Sequence, residues 1–215
     1  MTVLKGLDTI VELTRYAATL KQTNGFDFVM RYYSHRAAKN LSLGEARALS
    51  AAQLQIGVVW ETLGTHAGFF THEQGVADGS AAFQMASAAI GQPRDSAIYF
   101  AVDYDATQAD LDGPVSAYFA GVRDVFTLAA KGAAQYQVGV YGSGLACSYL
   151  LKKELAAFTW LSQSTGFAGS TAFREEGRYN LIQKMPQKVQ LGGGQVLQYD
   201  PDESNPALPT GLFSL

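Results

Sequence analysis

Asp103 and Asp105 are separated by one residue and follow the apolar run Ile98-Tyr99-Phe100-Ala101-Val102. Residues two apart on a strand point the same way, with Cα atoms about 6.6 Å apart. Glycoside hydrolysis uses carboxyl groups about 5 to 9.5 Å apart, one as acid and the other as nucleophile or base. Crowding like charges also raises one pKa, which keeps an acid protonated near neutral pH. Asp8, Glu61 and Asp200 end apolar runs in the same way. Tyr32, Tyr33, Trp60, Tyr104, Tyr141, Trp160 and Tyr199 lie at or near such ends. Aromatic faces stack on the C–H faces of sugar rings, while Tyr and Trp tips reach hydroxyls. Arg31, Gln163 and Gln198 are placed to add hydrogen bonds. The expected catalytic set is Asp105, Asp103, Asp8, Glu61 and Asp200. The expected substrate contacts are Arg31, Tyr33, Trp60, Tyr104, Tyr141, Trp160, Gln163 and Gln198.

Such residues work together only if the fold brings their strand ends to one place. Apolar runs recur at residues 3–8, 26–34, 55–61, 97–105, 137–143, 158–164, 179–184 and 195–200. They do not alternate apolar with polar, which is how strands covered on both faces read. Helix candidates lie between them. Ser42 and Glu45 have capping-box spacing ahead of an Ala-rich stretch to Leu54. Residues 79–90 end at Gly91, residues 111–131 carry Pro114 in the first turn, and residues 144–156 form another. After the fifth run the connections become short or Gly-rich, including Gly192-Gly193-Gly194. The pattern predicts an α/β fold, an irregular (β/α) TIM-like barrel of eight strands with reduced helices after strand five. Residues 1–215 are read as one domain. An open doubly wound sheet is the alternative, but it would keep its helices to the end. In the barrel, all C-terminal strand ends share one face, where the five acids would converge.

Composition narrows the function classes. The 215 residues are 47% hydrophobic, 12% aromatic and only 16% charged, which excludes a mainly disordered chain. Sixteen Lys and Arg against nineteen Asp and Glu give a net charge of -3, poor footing for nucleic-acid binding. Cys147 is the single cysteine, so no internal disulfide or thiolate zinc site forms, and a buried structural thiol is expected. No stretch is apolar for long enough to span a membrane. Lys5, Asp8, Glu12 and Arg15 interrupt the first twenty residues, so export by an ordinary signal peptide is not expected.

Six blocks resemble a known family. They are Gly6-Leu7-Asp8, Arg31-Tyr32-Tyr33-Ser34, Gly57-Val58-Val59-Trp60-Glu61, Tyr99-Phe100-Ala101-Val102-Asp103-Tyr104-Asp105, Val140-Tyr141-Gly142-Ser143 and Leu197-Gln198-Tyr199-Asp200. In this order they resemble the bacterial glycoside-hydrolase-like domain catalogued as domain of unknown function 1906. That domain is similar to the family 25 glycoside hydrolases, muramidases acting on the β-1,4 bond between N-acetylmuramic acid and N-acetylglucosamine. The resemblance implies a barrel of five β/α units followed by three strands without full helices. It also implies roles for an Asp on strand one, an Asp-x-Glu on strand four and an Asp on strand eight. Asp8, Asp103, Asp105 and Asp200 fall on those places. Asp105 stands where the family has its general acid Glu, one methylene or about 1.5 Å shorter, and a misplacement of about 1 Å can cost on the order of a hundredfold.

The expected activity is hydrolysis of glycosidic bonds in peptidoglycan or a related bacterial polysaccharide, with no cofactor. Asp105 would be the acid, Asp103 would stabilise the transition state, and Asp8 and Asp200 would shape the cleft. One alternative is a catalytically impaired barrel that binds cell-wall glycan. Another is a metal-dependent phosphodiesterase with a divalent cation among the five acids. His66, His72 and Glu73 match no helical zinc motif, so a polar loop is expected there. Residues 62–79, rich in Gly and Phe, read either as a mobile lid or as a static loop with a packed Phe pair. The Gly192-Gly193-Gly194 turn would join strands seven and eight, and residues 200–203 would be a solvated tail with Asp200 alone turned inward. A phage lysis system, a specialised secretion machine or fusion to another module would carry such a protein to the wall.

Overall fold

Seven strands run parallel in chain order in a computed structural model that describes residues 2–129 and 135–215. They are β1 (Lys5–Asp8), β2 (Phe28–Tyr33), β3 (Gln55–Trp60), β4 (Ala97–Ala101), β5 (Gln137–Gly142), β6 (Phe158–Leu161) and β7 (Leu181–Gln183). β8 (Gln187–Gly192) and β9 (Gln195–Ser204) form an antiparallel hairpin. β9 then runs between β7 and β1, antiparallel to both, and closes an eight-strand barrel. The fold is thus the TIM-like barrel expected from the sequence, with its last strand reversed.

The reversal has a simple cause. A parallel return needs a crossover packed back over the sheet, and the chain between Gln183 and Asp200 is taken up by the β8–β9 hairpin instead. A hairpin fits, and Gly192, Gly193 and Gly194 supply its turn with φ of 87°, 57° and 77°. That turn joins β8, a strand absent from the sequence reading, to β9. Residues 200–203, expected as a solvated tail, lie inside the barrel strand β9, and Asp202 is buried.

Helices cover the outside: α1 (Ala17–Gln22), α2 (Leu43–Ala51), α3 (His72–Gln84), α4 (Gln108–Asp110), α5 (Ser116–Ala129), α6 (Gly144–Lys152) and α7 (Ser170–Glu175). As expected, they shrink late in the chain, and none lies between β7 and β9. α3 begins before residue 79, continues as a π-helical turn over Met85–Ile90 and ends at left-handed Gly91. A second π-helical turn, Leu111–Val115, carries Pro114 between α4 and α5. Lys131, the expected end of that helix, lies outside the described residues. Ser42 Oγ accepts from the Glu45 N–H at 3.1 Å, but the Glu45 carboxylate turns to Arg31 and Leu13 instead of completing a capping box.

Strand residues alternate between two apolar layers. Phe28, Met30, Tyr32, Val59, Tyr99, Tyr141, Trp160 and Leu181 fill the barrel interior. Val29, Tyr33, Ile56, Val58, Trp60, Ile98, Phe100 and Val140 pack outward under the helices. Inside, bulky side chains face glycines across the ladder: Gly6 pairs with Phe28, Gly57 with Met30 and Gly139 with Tyr99. A Cβ on these glycines would stand 2.3, 2.2 and 2.6 Å from the partner side chain. The narrow interior therefore requires a missing side chain opposite each large one.

Candidate active site

Reversing β9 still delivers Asp200 to the C-terminal face of the parallel strands. It enters the barrel there, in register with Asp8 at the end of β1. A cavity of about 220 Å³ opens on this face, lined by Tyr32, Glu61, Asp103, Tyr141, Trp160, Gln163, Ser164, Gln183 and Asp200. Asp8 is 3% exposed and bonds to two of the lining residues. Tyr32 Oη donates to Asp8 Oδ1 at 2.9 Å, and Gln183 Nε2 donates to Asp8 Oδ2 at 2.8 Å. Lys39 Nζ lies 2.9 Å from Glu61 Oε1 and 4.7 Å from the centre of the Tyr32 ring. The Tyr141 and Trp160 rings meet at 4.7 Å between centroids.

Gln183 ties the acids together, and its orientation is fixed by its neighbours. The Gln163 backbone N–H can only donate and approaches Gln183 Oε1 at 3.4 Å, while Tyr141 Oη donates to the same atom at 2.9 Å. The amide nitrogen must therefore face the carboxylates, reaching Asp8 at 2.8 Å and Asp200 at 3.5 Å. Burial pushes Asp8 up to about 7, with Asp200 adding to the rise and the Gln183 and Tyr32 bonds opposing it. Burial and then Glu61 raise Asp103, and burial raises Asp200. One layer below, Asp202 is 1% exposed and accepts from Trp160 Nε1 at 2.8 Å. Its other oxygen has no partner, and burial with Asp8 nearby holds it well above the carboxylate range.

A raised carboxyl favours the folded state fully below its unfolded pKa, and that contribution is lost as pH rises towards the folded value. Unfolding free energy should therefore fall between about pH 4 and pH 8. Asp202→Asn should flatten this slope and raise stability at pH 8, as read from urea midpoints at pH 5 and 8. An unchanged slope would mean that Asp202 stays ionised in the fold.

The other sequence candidates scatter. Strand β4 stops at Ala101, so Asp103 and Asp105 are not two positions of one strand. The Asp103 N–H is held by the Gly64 carbonyl at 2.9 Å, and its side chain reaches the cavity. Asp105, exposed like Asp103, lies outside the cavity lining, and its Oδ1 accepts from the Ala168 N–H at 2.7 Å. Arg31, Tyr33 and Trp60 sit at outward strand positions under the helices. Arg31 is bound to Glu45 at 2.8 Å, and Tyr33 Oη donates to Gln92 at 3.0 Å. Tyr104 stacks on Phe70 at 5.9 Å, outside the cavity lining. Gln198 and Tyr199 line a neighbouring groove. Lys39, Gln183 and Asp202 carry no site signal in the sequence beyond the position of Gln183 two residues past the inward-facing Leu181.

Within residues 62–79 the Phe pair is packed, while Leu63, Thr65, His66 and Gly68 are exposed. Phe70 is buried against Phe69, Tyr104 and Tyr118, and residues from His72 onward belong to α3. His72 pairs with Asp124 at 3.0 Å on the surface. Among the described residues, no three or more His, Cys, Asp or Glu side chains are grouped to hold a metal ion. No helix there is long and apolar enough to cross a membrane. Cys147 is buried, as expected.

Comparisons with known proteins agree with this architecture. The Tat-secreted protein Rv2525c of Mycobacterium tuberculosis, solved with L-tartrate, superposes with a TM-score of 0.72 at 20% identity over 94% of each chain. The Clostridium perfringens spore cortex lytic enzyme SleM gives a TM-score of 0.58 at 14% identity, covering 94% of this chain and 67% of that one. At such identities the likeness is one of fold. Two uncharacterized Bacillus subtilis (strain 168) proteins, FadG and YbfG, are 29% identical over 171 residues and 27% identical over 201. These matches cover 77% and 88% of this chain but only 29% and 27% of the relatives, so the chain spans under a third of their length. Residues 18–203 match the Rv2525c-like, glycoside hydrolase-like domain, and the chain belongs to that family.

Proposed function

We propose that the chain is a glycoside hydrolase that cuts peptidoglycan or a related bacterial polysaccharide, and that residues 1–215 act as one module. The observation that carries this reading is the set of Glu61, Asp103 and Asp200 around one cavity, with Asp8 bonded beneath and Tyr32, Tyr141 and Trp160 as walls. Asp103, raised by burial and by Glu61, is the general acid that protonates the leaving oxygen. Glu61 and Asp200 place negative charge beside the sugar ring as its oxocarbenium-like transition state forms, and one of them takes the proton of the water that adds to the anomeric carbon. Gln183 and Tyr32 position Asp8 under the reacting ring. The fold shared with a spore cortex lytic enzyme supports a wall substrate, and the fold shared with a Tat-secreted protein supports delivery to the wall or periplasm.

Purified peptidoglycan incubated with the protein from pH 4 to 8 should release reducing ends. The rate should be highest at acidic pH and decline towards pH 8 as Asp103 loses its proton, and a chelator should leave it unchanged. Release abolished by chelator would move the acids to metal binding. The outward turn of Asp105 favours a second reading, a barrel that binds wall glycan without cutting it. Sedimentation with peptidoglycan in the absence of release would establish that reading instead.

A further inference from the structure

The cavity lining brings Glu61, Asp103 and Asp200 together without a Lys or Arg among the described residues. A cation reaches these acids from outside the lining, on the loop after β2. Lys39 Nζ lies 2.9 Å from Glu61 Oε1, and only 15% of its side chain is exposed. The same ammonium stands 4.7 Å from the centre of the Tyr32 ring, whose hydroxyl donates to Asp8. The loop is fastened before any substrate arrives. Ser34 Oγ donates to Asn40 Oδ1 at 2.9 Å, and Asn40 Nδ2 donates back to the Ser34 carbonyl at 2.7 Å. The Leu41 N–H then reaches the Tyr32 carbonyl at 2.9 Å. Glu61 is held from its own side as well, its N–H donating to the Tyr33 carbonyl at 3.1 Å. Lys39 engages Oε1 of Glu61, and Oε2 has no partner among the described residues.

We propose that Lys39 is a positioning residue that makes Glu61, rather than Asp200, the base of the reaction. The inference rests on the hydrolase reading above and decides which carboxylate handles the water. Asp103 gives its proton to the leaving oxygen as the bond from that oxygen to the anomeric carbon breaks. The water oxygen bonds to the same carbon from the opposite side, and Glu61 takes the water proton. One displacement of this kind inverts the anomeric carbon. A base must enter the step ionised, and an ammonium in contact with a carboxylate favours that form. Asp200 has the reverse setting. Burial raises it, and the partner on its Oδ2 is a neutral amide at 3.5 Å. Burial is also the main cause that raises Asp103, Asp8, Tyr32 and Tyr141, and the Glu61 charge adds to each. The anion that Lys39 holds in place therefore helps to keep the proton on the acid opposite.

Turnover of purified peptidoglycan by the protein and its variants tests the proposal. Lys39→Met keeps a long side chain without its charge and should lower kcat about 10- to 100-fold, with KM and thermal midpoint unchanged. Lys39→Arg, which restores the charge, should recover most of the loss. Azide attacks without needing a base, so sodium azide should restore turnover to Glu61→Ala and yield a glycosyl azide of inverted configuration. The same salt should not help Asp200→Ala. Rescue of Asp200→Ala alone, or an azide product of retained configuration, would overturn the base assignment. A Lys39→Met variant with wild-type kcat and KM would overturn the positioning role. One with KM raised and kcat kept would overturn it too, making Lys39 a substrate contact. If the wild-type protein releases no reducing ends, the hydrolase reading falls and this assignment falls with it.

Discussion

Asp103→Asn is expected to lower the rate of reducing-end release by about 100- to 10,000-fold, the range associated with losing a general acid. Asp105→Asn should stay within a few-fold of wild type. The contrast follows from where β4 stops. Beyond Ala101 the chain leaves the ladder, and its next two acids take different directions. Asp103 is fixed through its own N–H to the Gly64 carbonyl, which places its carboxyl at the cavity beside Glu61. Gly64 allows this approach because its φ is +129° and a Cβ there would stand 2.8 Å from the Ala101 carbonyl oxygen. Asp105 instead accepts the Ala168 N–H, a bond that Asn can also accept. Asn at 103 keeps the shape but carries no transferable proton, so binding and thermal midpoint should be retained while turnover is lost. The opposite pattern, activity lost at 105 and kept at 103, would require the loop after β4 to turn over when substrate binds.

Gly75→Ala should destabilise the fold by about 3 kcal/mol or more, a large share of the roughly 5 to 15 kcal/mol that holds a domain together. Helices α3 and α5 meet backbone to backbone. A Cβ at Gly75 would lie 2.0 Å from the Tyr118 carbonyl oxygen, and one at Gly121 would lie 2.3 Å from the His72 carbonyl oxygen. Neither obstacle is the end of a flexible side chain, so the helices would have to separate. Separation would strip contacts from Phe70 and Tyr118 and loosen Asp78, which accepts from Tyr118 Oη at 2.8 Å. Gly166→Ala, where nothing lies within 4 Å, is the matched control and should leave the urea midpoint unchanged. A Gly75→Ala midpoint equal to that of the control would show that the two helices are not held at this distance in solution.

The apolar runs made the barrel legible because strands covered on both faces leave long unbroken stretches in the sequence. The same continuity hid the phase of each strand. In Phe28-Val29-Met30-Arg31-Tyr32-Tyr33 every residue is buried, so no polar alternation marks which side faces inward. The sequence pattern therefore favours Arg31 and Tyr33 as substrate contacts, although Tyr32 between them is the one that reaches the cavity. The phase was written in the glycines instead, since Gly6, Gly57 and Gly139 each face a bulky inward neighbour. Counting by twos from Gly6 reaches Asp8, and from Gly57 it reaches Val59 and then Glu61. Asp202 was hidden for a different reason. Its surroundings, Asp200-Pro201-Asp202-Glu203, have the composition of a solvated segment, and only pairing with β1 and β7 turns them into a barrel wall. Gln183 carries no signal in the sequence, because an amide marks a site only through the carboxylates it bridges in the fold.

Closure through β9 also has consequences during synthesis. Lys5 is paired with Glu203, so the seam joins residues from opposite ends of the chain. Until the ribosome has delivered that strand, the growing polypeptide holds an open parallel sheet with unpaired edges at β1 and β7, the kind of surface that invites aggregation. The seam brings Asp200 and Asp202 with it, so the acid cluster is assembled in the same event that seals the sheet. Such long sequence separation predicts slow folding.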